Sequence, residues 1–302
     1  MFNKTLSAIL RGIWMIEPQW ANAHLPQVAR LLQGEQFNPA VVAADPKNIV
    51  LAGESKHLPI ALHPDAHSGF VTASRYRRFS DAPEGSVALI PIAGPIMKYE
   101  GECGEPGSMN YAQWVKEAAG SPNISGIIIK IDSPGGQVDG TQTLVDAIVA
   151  SKKKTIGFVD DGMMCSAGMW IGAACDEIYA SQKTDVIGSI GVLCSFYDFR
   201  GRLEQLGIKL HEIHAPQSSD KNIDFKEALE GNYAKIEAEL KVLADAFITS
   251  VKTLRGSRLN STAGDPFTGK TYFAPEAQAL GLIDGICTFE QAILKASGEN
   301  SN

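Results

Sequence analysis

From about residue 85 onward, short apolar runs alternate with segments in which apolar residues recur every three or four positions. Residues 124–131 (ISGIIIKI) are almost all apolar and β-branched, which predicts a strand buried on both faces of a parallel sheet. Residues 141–152 place their apolar side chains on one helical face. This repeated alternation predicts an α/β domain in which helices cover a largely parallel sheet.

The same patterns predict most of the remaining elements. Apolar or alternating runs predict further strands at 87–92, 155–159, 177–180, 190–193 and 208–213. Helical spacing predicts further helices at 111–119, 166–174, 202–206 and 225–254, the last being the longest.

Residues 1–80 differ from this pattern. Short helices are predicted at 9–16 and 25–32, whereas 33–68 are rich in proline and turn-forming residues. We therefore expect a partly irregular N-terminal extension over 1–80 and the main domain over 81–298.

Composition excludes several classes of function. The net charge of the 302 residues is −7 with no long Lys/Arg run, so no nucleic-acid partner is expected. The five cysteines form no CxxC pair, which argues against a disulfide framework or structural zinc and favours a reducing compartment. No apolar run reaches the roughly 18–20 residues that span a bilayer. His63 and His67 are separated by Pro64, which predicts a loop rather than a metal site. A cytoplasmic protein without a metal or another cofactor is expected.

Four polar or glycine-rich segments could carry chemistry. Residues 132–136 (DSPGG) follow the buried strand, and their backbone N–H groups could face a developing oxyanion, although a plain strand-to-helix turn is an equal alternative. Ser166, in the segment 163–168, could be a nucleophile or simply a helix N-cap. Cys165 is the alternative nucleophile but fits better as a small buried side chain.

The other two segments are also ambiguous alone. Residues 186–192 (VIGSIGV) could be a simple bulge, and Lys221 in 218–222 is of interest only if folding places it beside Ser166. A Ser-His-Asp triad is a further possibility, because such triads follow geometry rather than sequence order. Its members would be Ser166 with His211 or His214 and with Asp220 or Asp224.

These segments, in this order, resemble the S49 peptidases, which are signal peptide peptidase A and its phage relatives, the head-maturation proteases. The resemblance covers about residues 85–290. It is carried by ALIPIAG (88–94), IDSPGG (131–136), CSAG (165–168), AACD (173–176), IGSIGV (187–192), Lys221 and GKTYFAPEA (269–277) with LGLID (280–284). Leu10-Arg11-Gly12, Trp14 and EPQW (17–20) are more similar to the phage and prophage branch.

The resemblance implies a ClpP/crotonase-like spiral of βαβ units with a mostly parallel sheet. It implies a Ser/Lys dyad of Ser166 as nucleophile and Lys221 as general base, with Ser189 orienting the lysine. Oxyanion donors would be the N–H groups of Gly135 or Gly136 and of Ala167. Asn222 stands where the family usually has aspartate, and Lys226 is the fallback base. A lysine can accept a proton only when its amine is uncharged, so we expect Lys221 to lie shielded from water within hydrogen-bond reach of Ser166.

The leading expectation is a serine endopeptidase that processes phage capsid or scaffold proteins, in the bacterial cytoplasm or the phage prohead. The alternatives are cytoplasmic degradation of leftover peptides by a signal-peptide-peptidase-like enzyme, a catalytically silent assembly scaffold, and an acyl-CoA enzyme of the crotonase fold. The Ser/Lys pair argues against the last of these. The resemblance also implies a homo-oligomer acting on polypeptide substrates.

Overall fold

A computed structural model describes residues 13–16, 59–64, 71–74, 78–101 and 104–298. The strands are β1 (Ile13–Ile16), β2 (Ile60–Pro64), β3 (Val71–Ser74), β4 (Ser86–Ala93), β5 (Ile124–Ser133), β6 (Gly135–Gln137), β7 (Lys154–Cys165), β8 (Glu177–Ala180), β9 (Val186–Gly188), β10 (Leu193–Cys194), β11 (Thr271–Phe273) and β12 (Gly285–Ile286). The helices are α1 (Ser108–Gly120), α2 (Thr141–Val149), α3 (Ala167–Ala173), α4 (Arg200–Gln205), α5 (Ile223–Leu229), α6 (Ala234–Arg255), α7 (Ala274–Ala279) and α8 (Phe289–Ser297).

The main sheet is mostly parallel. Its strand order within the described residues is β11-β9-β7-β5-β4-β2-β3, and β8 with β12 branches from β7. Strands β4, β5, β7, β8 and β9 are parallel to their neighbours in that group, whereas β2, β3 and β11 are antiparallel additions. The predicted α/β class with a mostly parallel sheet is confirmed.

Both faces of the central strand β5 are buried. Ile127, Ile129 and Ile131 belong to a large core with helices α1, α2 and α3, while Ile128 points to the opposite face and packs with Ile293 of α8. Successive side chains of a strand point to opposite faces. This arrangement explains why residues 127–129 are apolar without alternation.

A second, smaller sheet stands beside the main one. In it, β1 lies between β6 and β10 and is antiparallel to both. Because β6 follows the end of β5 and β10 follows β9, this sheet connects two segments that leave the main sheet at the same edge.

Four predicted elements are wrong. The strand predicted at 190–193 is absent from 190–192, and β10 begins only at Leu193. Residues 208–213 form no strand, because no described strand lies beside them to complete the hydrogen bonds, and Ile208, Leu210 and Ile213 are all exposed. The long helix predicted over 225–254 is two helices, α5 and α6, because Gly231 adopts φ +87° directly after α5 and ends it. Ile13–Ile16 form a strand rather than part of a helix, because pairing on both sides overrides local preference.

The predicted N-terminal extension contributes directly to both sheets. Strand β2 pairs with β4, and β3 pairs with β2, at the edge of the main sheet. The helix predicted at 25–32 lies outside the described residues, as does most of the segment predicted to be irregular at 33–68, but residues 60–64 of that segment form β2. We propose that the main domain begins at or before residue 59 rather than at residue 81.

One buried ion pair joins the C-terminal elements to the sheet. Arg255, at the end of α6, is 1% exposed, and its guanidinium donates to both carboxylate oxygens of Asp284 at 2.9 and 3.0 Å. Burial lowers the pKa of Arg255, and the ion pair with Asp284 opposes this effect. Asp284 also accepts a hydrogen bond from the backbone N–H of Ile178 in β8, so one carboxylate fixes α6 against this branch of the sheet.

None of the described helices is long and apolar enough to cross a bilayer.

Candidate active site

Ser166 lies at the junction between the end of β7 and the start of α3. Its N–H donates to the carbonyl of Gly188 at 2.8 Å, and its own carbonyl accepts the N–H of Trp170 at 3.0 Å. The side chain is 1% exposed. Its Oγ lies 3.5 Å from the carbonyl oxygen of Gly191, beyond the usual range of about 2.5–3.0 Å for O–H···O hydrogen bonds. The hydroxyl is therefore held in place by the backbone and only weakly by its own hydrogen bond.

The backbone of Ser166 is strained. Its φ is +53°, in a region that a residue with a Cβ rarely adopts. Such a conformation costs of the order of 1–3 kcal/mol and concentrates at functional sites. A plain N-cap serine has extended backbone angles and accepts a hydrogen bond from the first helical turn, whereas Ser166 does neither. The geometry therefore favours the nucleophile over the N-cap interpretation.

The loop after β9 shows a second strained serine. Ser189 has φ +52°, is 4% exposed, and donates its N–H to the carbonyl of Lys270 at 2.8 Å. Gly188, just before it, has φ +116°, and a Cβ at this position would lie 2.8 Å from the same carbonyl oxygen. The segment is thus a tight backbone turn beside Ser166 rather than a simple bulge.

The glycines of DSPGG form β6 on the other side of Ser166. Gly135 donates its N–H to Ser133 Oγ at 3.1 Å, so that donor is already engaged. On one edge of β6, the carbonyl of Gly135 accepts from Ile96 N–H and the N–H of Gln137 donates to the Ile96 carbonyl, both at 2.8 Å. The alternation of a strand then turns the N–H of Gly136 toward the opposite edge.

Helix α3 brings these segments together. A Cβ at Gly168 would lie 3.4 Å from the carbonyl oxygen of Ser133, so α3 packs closely against the end of β5, next to the DSPGG turn. Ala167 is buried at the first position of α3, where helical geometry leaves the N–H without a partner in the helix. The segments that contain Ser166, Ser189 and the two glycines are therefore packed together at the start of α3.

Two supporting interactions of this site are missing from the sequence-based prediction. The indole ring of Trp170 stacks on Phe247 with centroids 4.8 Å apart, and its Nε1 donates to Ser250 Oγ at 2.8 Å, which fixes α3 on α6. The carboxylate of Asp185, 1% exposed, accepts the N–H groups of Gly162, Ser181 and Gln182 at 2.8–2.9 Å, which holds β7 against the start of β9. An aspartate placed directly before the apolar start of β9 is the only sequence signal for this role.

Within one chain, Lys221 is neither shielded from water nor hydrogen-bonded to Ser166, contrary to the expectation from the sequence. It follows a 3-10 turn at Pro216–Ser218, and its N–H donates to the carbonyl of Ser218 at 3.2 Å. Its side chain is exposed to solvent, and no hydrogen bond joins it to Ser166 in the described structure. The predicted shielded Ser/Lys contact is therefore not formed in the isolated chain. Lys226, the fallback base, is exposed as well.

The conformation and the hydrogen bond of Asn222 explain why asparagine stands where the family usually has aspartate. It has φ +64°, a conformation that asparagine tolerates better than most residues, and it directly precedes α5. Its Nδ2 donates to Glu212 Oε2 at 3.0 Å. An ionised aspartate could not donate this hydrogen bond. Hydrogen bonds from His214 and Asn222 lower the pKa of Glu212, so the carboxylate is favoured.

The histidine alternative lacks the required contacts. The Nε2 of His214 contacts a carboxylate oxygen of Glu212, and its Nδ1 lies 3.2 Å from the carbonyl oxygen of Ser218. His211 is exposed. Neither ring contacts Ser166 in the described structure. His63 and Pro64 lie in β2, so the loop predicted at 63–67 is wrong for these two residues, and His67 falls outside the described residues.

The cysteine alternative also lacks support. Cys165 is fully buried at the end of β7, as expected of a small core side chain. Burial raises the pKa of Cys175, Cys194 and Cys287, the last to about 11, which disfavours the reactive thiolate. Serine is the better nucleophile candidate at this site.

Comparison with known proteins decides the family. The model of peptidase family S49 matches residues 147–301, just over half of the chain. The chain belongs to peptidase family S49. Membership of S49, a family of serine peptidases, agrees with the succession of parallel strands and intervening helices.

Curated S49 relatives include bacterial and phage proteins. Protease 4 of Salmonella typhi is 26% identical over 216 residues, covering 70% of this chain and 34% of that protein. The capsid assembly protease C of Escherichia phage lambda is 24% identical over 287 residues, covering 92% of this chain and 62% of that protein. The chain spans only about a third to just over half of the length of the first relatives matched.

Solved structures similar to this S49 chain include a membrane protease specific for a stomatin homologue from Pyrococcus horikoshii. It is 19% identical with a TM-score of 0.42, and the match covers 68% of this chain and 76% of that one. An enoyl-CoA hydratase/isomerase family protein from Silicibacter pomeroyi is 18% identical with a TM-score of 0.41, covering 72% and 80%.

Proposed function

We propose that this chain is a serine endopeptidase with Ser166 as nucleophile and Lys221 as general base. The observation that carries the proposal is the strained strand-to-helix junction at Ser166, packed between the glycine segment of β6 and the turn after β9. A serine hydroxyl attacks a peptide carbonyl only when a base removes its proton, and the resulting oxyanion needs hydrogen-bond donors placed in advance.

The N–H groups of Gly136 and Ala167 are the proposed oxyanion donors. Gly136 is the better candidate of the two glycines. The N–H of Gly135 already donates to Ser133 Oγ, whereas the N–H of Gly136 points away from Ile96, toward the other edge of β6. Ser189, in the turn after β9, is proposed to orient the lysine through its hydroxyl. Each donor sits on backbone that tight packing holds rigid.

Gly136→Ala is expected to lower kcat/KM by at least about 100-fold, the effect of losing one oxyanion donor. A Cβ at this position would lie 1.9 Å from the carbonyl oxygen of Ile96, so β6 must move and carry the Gly136 N–H with it. Steady-state hydrolysis of an unfolded polypeptide measures the effect. Gly120→Ala at the end of α1 is the matched control, since no atom lies within 4 Å of its Cβ position. Equal kcat/KM for Gly136→Ala and wild type would contradict the donor assignment.

The exposed position of Lys221 supports a proposal about assembly. We define the arm as residues 195–233, which contain α4 and α5. Many of its large apolar side chains are exposed: Tyr197, Phe199, Leu206, Ile208, Leu210, Ile213, Phe225 and Tyr233. Apolar surface of this extent marks a protein interface. We infer that the arm packs on another copy of this chain, and that this contact supplies the shielding that Lys221 lacks here.

The proposed substrates are phage capsid or scaffold proteins, processed in the host cytoplasm or the prohead. The similarity to a capsid assembly protease favours this role over general peptide degradation. The alternative function is not enzymatic: a catalytically silent assembly scaffold of the same fold. The exposure of Lys221 favours this alternative, because a lysine that acts as general base must be shielded from water.

A fluorophosphonate probe separates the enzyme from the silent scaffold. We expect mass spectrometry to locate a single adduct on Ser166 after incubation with the full chain, because only an activated serine reacts at a useful rate. Ser166→Ala is the labelling control. Absence of any adduct in an assembled, folded sample would contradict the peptidase proposal. Faster cleavage of a phage capsid or scaffold protein than of an unrelated unfolded protein would support the maturation role.

A further inference from the structure

Strand β1 occupies an unusual position for a segment so near the start of the sequence. It pairs on one side with β6, with Trp14, Met15 and Ile16 opposite Gln137, Gly136 and Gly135. On the other side, Ile13 and Trp14 lie opposite Cys194 and Leu193 of β10. Both pairings are antiparallel, and β1 is the only described strand that joins β6 to β10.

The two strands that hold β1 flank the nucleophile. β6 contains Gly136, whose N–H points away from Ile96 and therefore toward β1. β10 begins two residues after Gly191, whose carbonyl oxygen is the one nearest to Ser166 Oγ. The backbone of residues 13–16 thus lies between the strand that carries the proposed oxyanion donor and the strand that follows the turn after β9.

This position suits an extended polypeptide in general. An added strand is recognised by main-chain hydrogen bonds on the open edge of a sheet, with little demand on its sequence. Neighbouring strands lie about 4.7–4.9 Å apart, so the gap between β6 and β10 holds one strand at a time. A substrate chain that uses these edges and β1 therefore exclude each other.

β1 is also short enough to leave. Four residues form few hydrogen bonds, each contributing a net of about 0.5–1.5 kcal/mol. An incoming segment that forms the same main-chain hydrogen bonds can replace them at small net cost.

We propose that residues 13–16 act as an internal substrate mimic, which fills the peptide cleft beside Ser166 and must leave before a polypeptide binds. The proposal rests on the proposed role of Ser166 as the nucleophile, because that role makes the gap between β6 and β10 a cleft for substrate. It concerns peptide binding, however, and is testable without cleavage.

The test uses the 302-residue chain carrying Ser166→Ala and a fluorescent synthetic peptide with the sequence of residues 11–18. Met15→Pro removes a backbone N–H and opposes pairing in the middle of a sheet. We expect fluorescence anisotropy to show at least about tenfold tighter peptide binding to the Met15→Pro chain, which corresponds to about 1.4 kcal/mol. Met15→Val, which retains a strand-forming residue, is the matched control and should bind like the parent. Equal affinities for all three chains would overturn the proposal, as would weaker binding to a folded Met15→Pro chain.

A second measurement needs no change in β1. Hydrogen–deuterium exchange on the Ser166→Ala chain should show faster exchange of residues 13–16 when the peptide is added to saturation, while residues 135–137 stay protected. Protection of 135–137 together with unchanged exchange at 13–16 would show that β1 is a permanent part of the site and would overturn the proposal. A failure of the fluorophosphonate test would leave both binding results intact, so the two hypotheses fail separately.

Discussion

Ser166→Ala is expected to lower kcat/KM for a polypeptide substrate by more than about 10⁴-fold, the order of effect produced by removing the nucleophile of a serine peptidase. The hydroxyl is the proposed nucleophile at the strained junction of β7 and α3, and its loss leaves only binding and oxyanion stabilisation. Because the side chain is small, the fold should persist, and circular dichroism with thermal unfolding checks this. Product formation followed by mass spectrometry measures the loss.

The adjacent residue provides a sharp control for this experiment. Cys165 is as buried as Ser166 and one position away, and its Sγ lies 3.7 Å from the carbonyl oxygen of Val186 at the start of β9. Cys165→Ala should retain activity while losing some stability, since it removes a buried sulfur atom. If Cys165→Ala abolished hydrolysis and Ser166→Ala did not, the assignment of the nucleophile would be wrong.

The parallel core was predictable because burial on both faces leaves a distinctive sequence. The isoleucine run at 127–129 has no alternation, and its strand lies at the centre of the sheet as predicted. The helices at 108–120 and 141–149 also match, because their apolar spacing reflects packing on one side. The strand at 13–16 was not predictable, because its partners β6 and β10 lie more than 100 residues away in the sequence.

The site was predictable only in part. Gly135 and Gly136 are marked by residue type, because Gly135 adopts φ +111° and a Cβ at Gly136 would lie 1.9 Å from the carbonyl oxygen of Ile96. Ser166 and Ser189 stand out only through the motifs around them, since positive φ angles do not favour serine. Supporting groups such as Trp170 and Asp185 are not marked, because their roles depend on contacts between distant segments. Lys221 illustrates a further limit: a sequence motif can identify a candidate base, but its shielding depends on what packs against the arm.

Lys221→Ala is expected to lower kcat by about 10²–10⁴-fold, the usual contribution of a general base. Without an amine to accept the proton of Ser166, the hydroxyl remains a poor nucleophile at neutral pH. An added small primary amine should restore part of the rate, which a purely structural defect would not allow. Lys226→Ala, five positions along and equally exposed in the isolated chain, is the matched control and should retain activity. Loss of activity in Lys226→Ala alone would transfer the role to that residue.

Ser166→Ala and Lys221→Ala chains, used together, test whether the general base comes from the same chain as the serine or from another copy. If the arm of one copy completes the site of another, mixing Ser166→Ala and Lys221→Ala chains should restore hydrolysis, because some assembled sites then combine an intact serine with an intact lysine. If each chain forms its own dyad, the mixture stays inactive, and the exposed Lys221 must reach Ser166 by movement of the arm within one chain. Leu210→Asp and Ile213→Asp, which place charge on the exposed arm, should abolish restored activity in the first case. Size-exclusion chromatography of these variants links any loss to assembly, since a shielded lysine requires the neighbour that covers it.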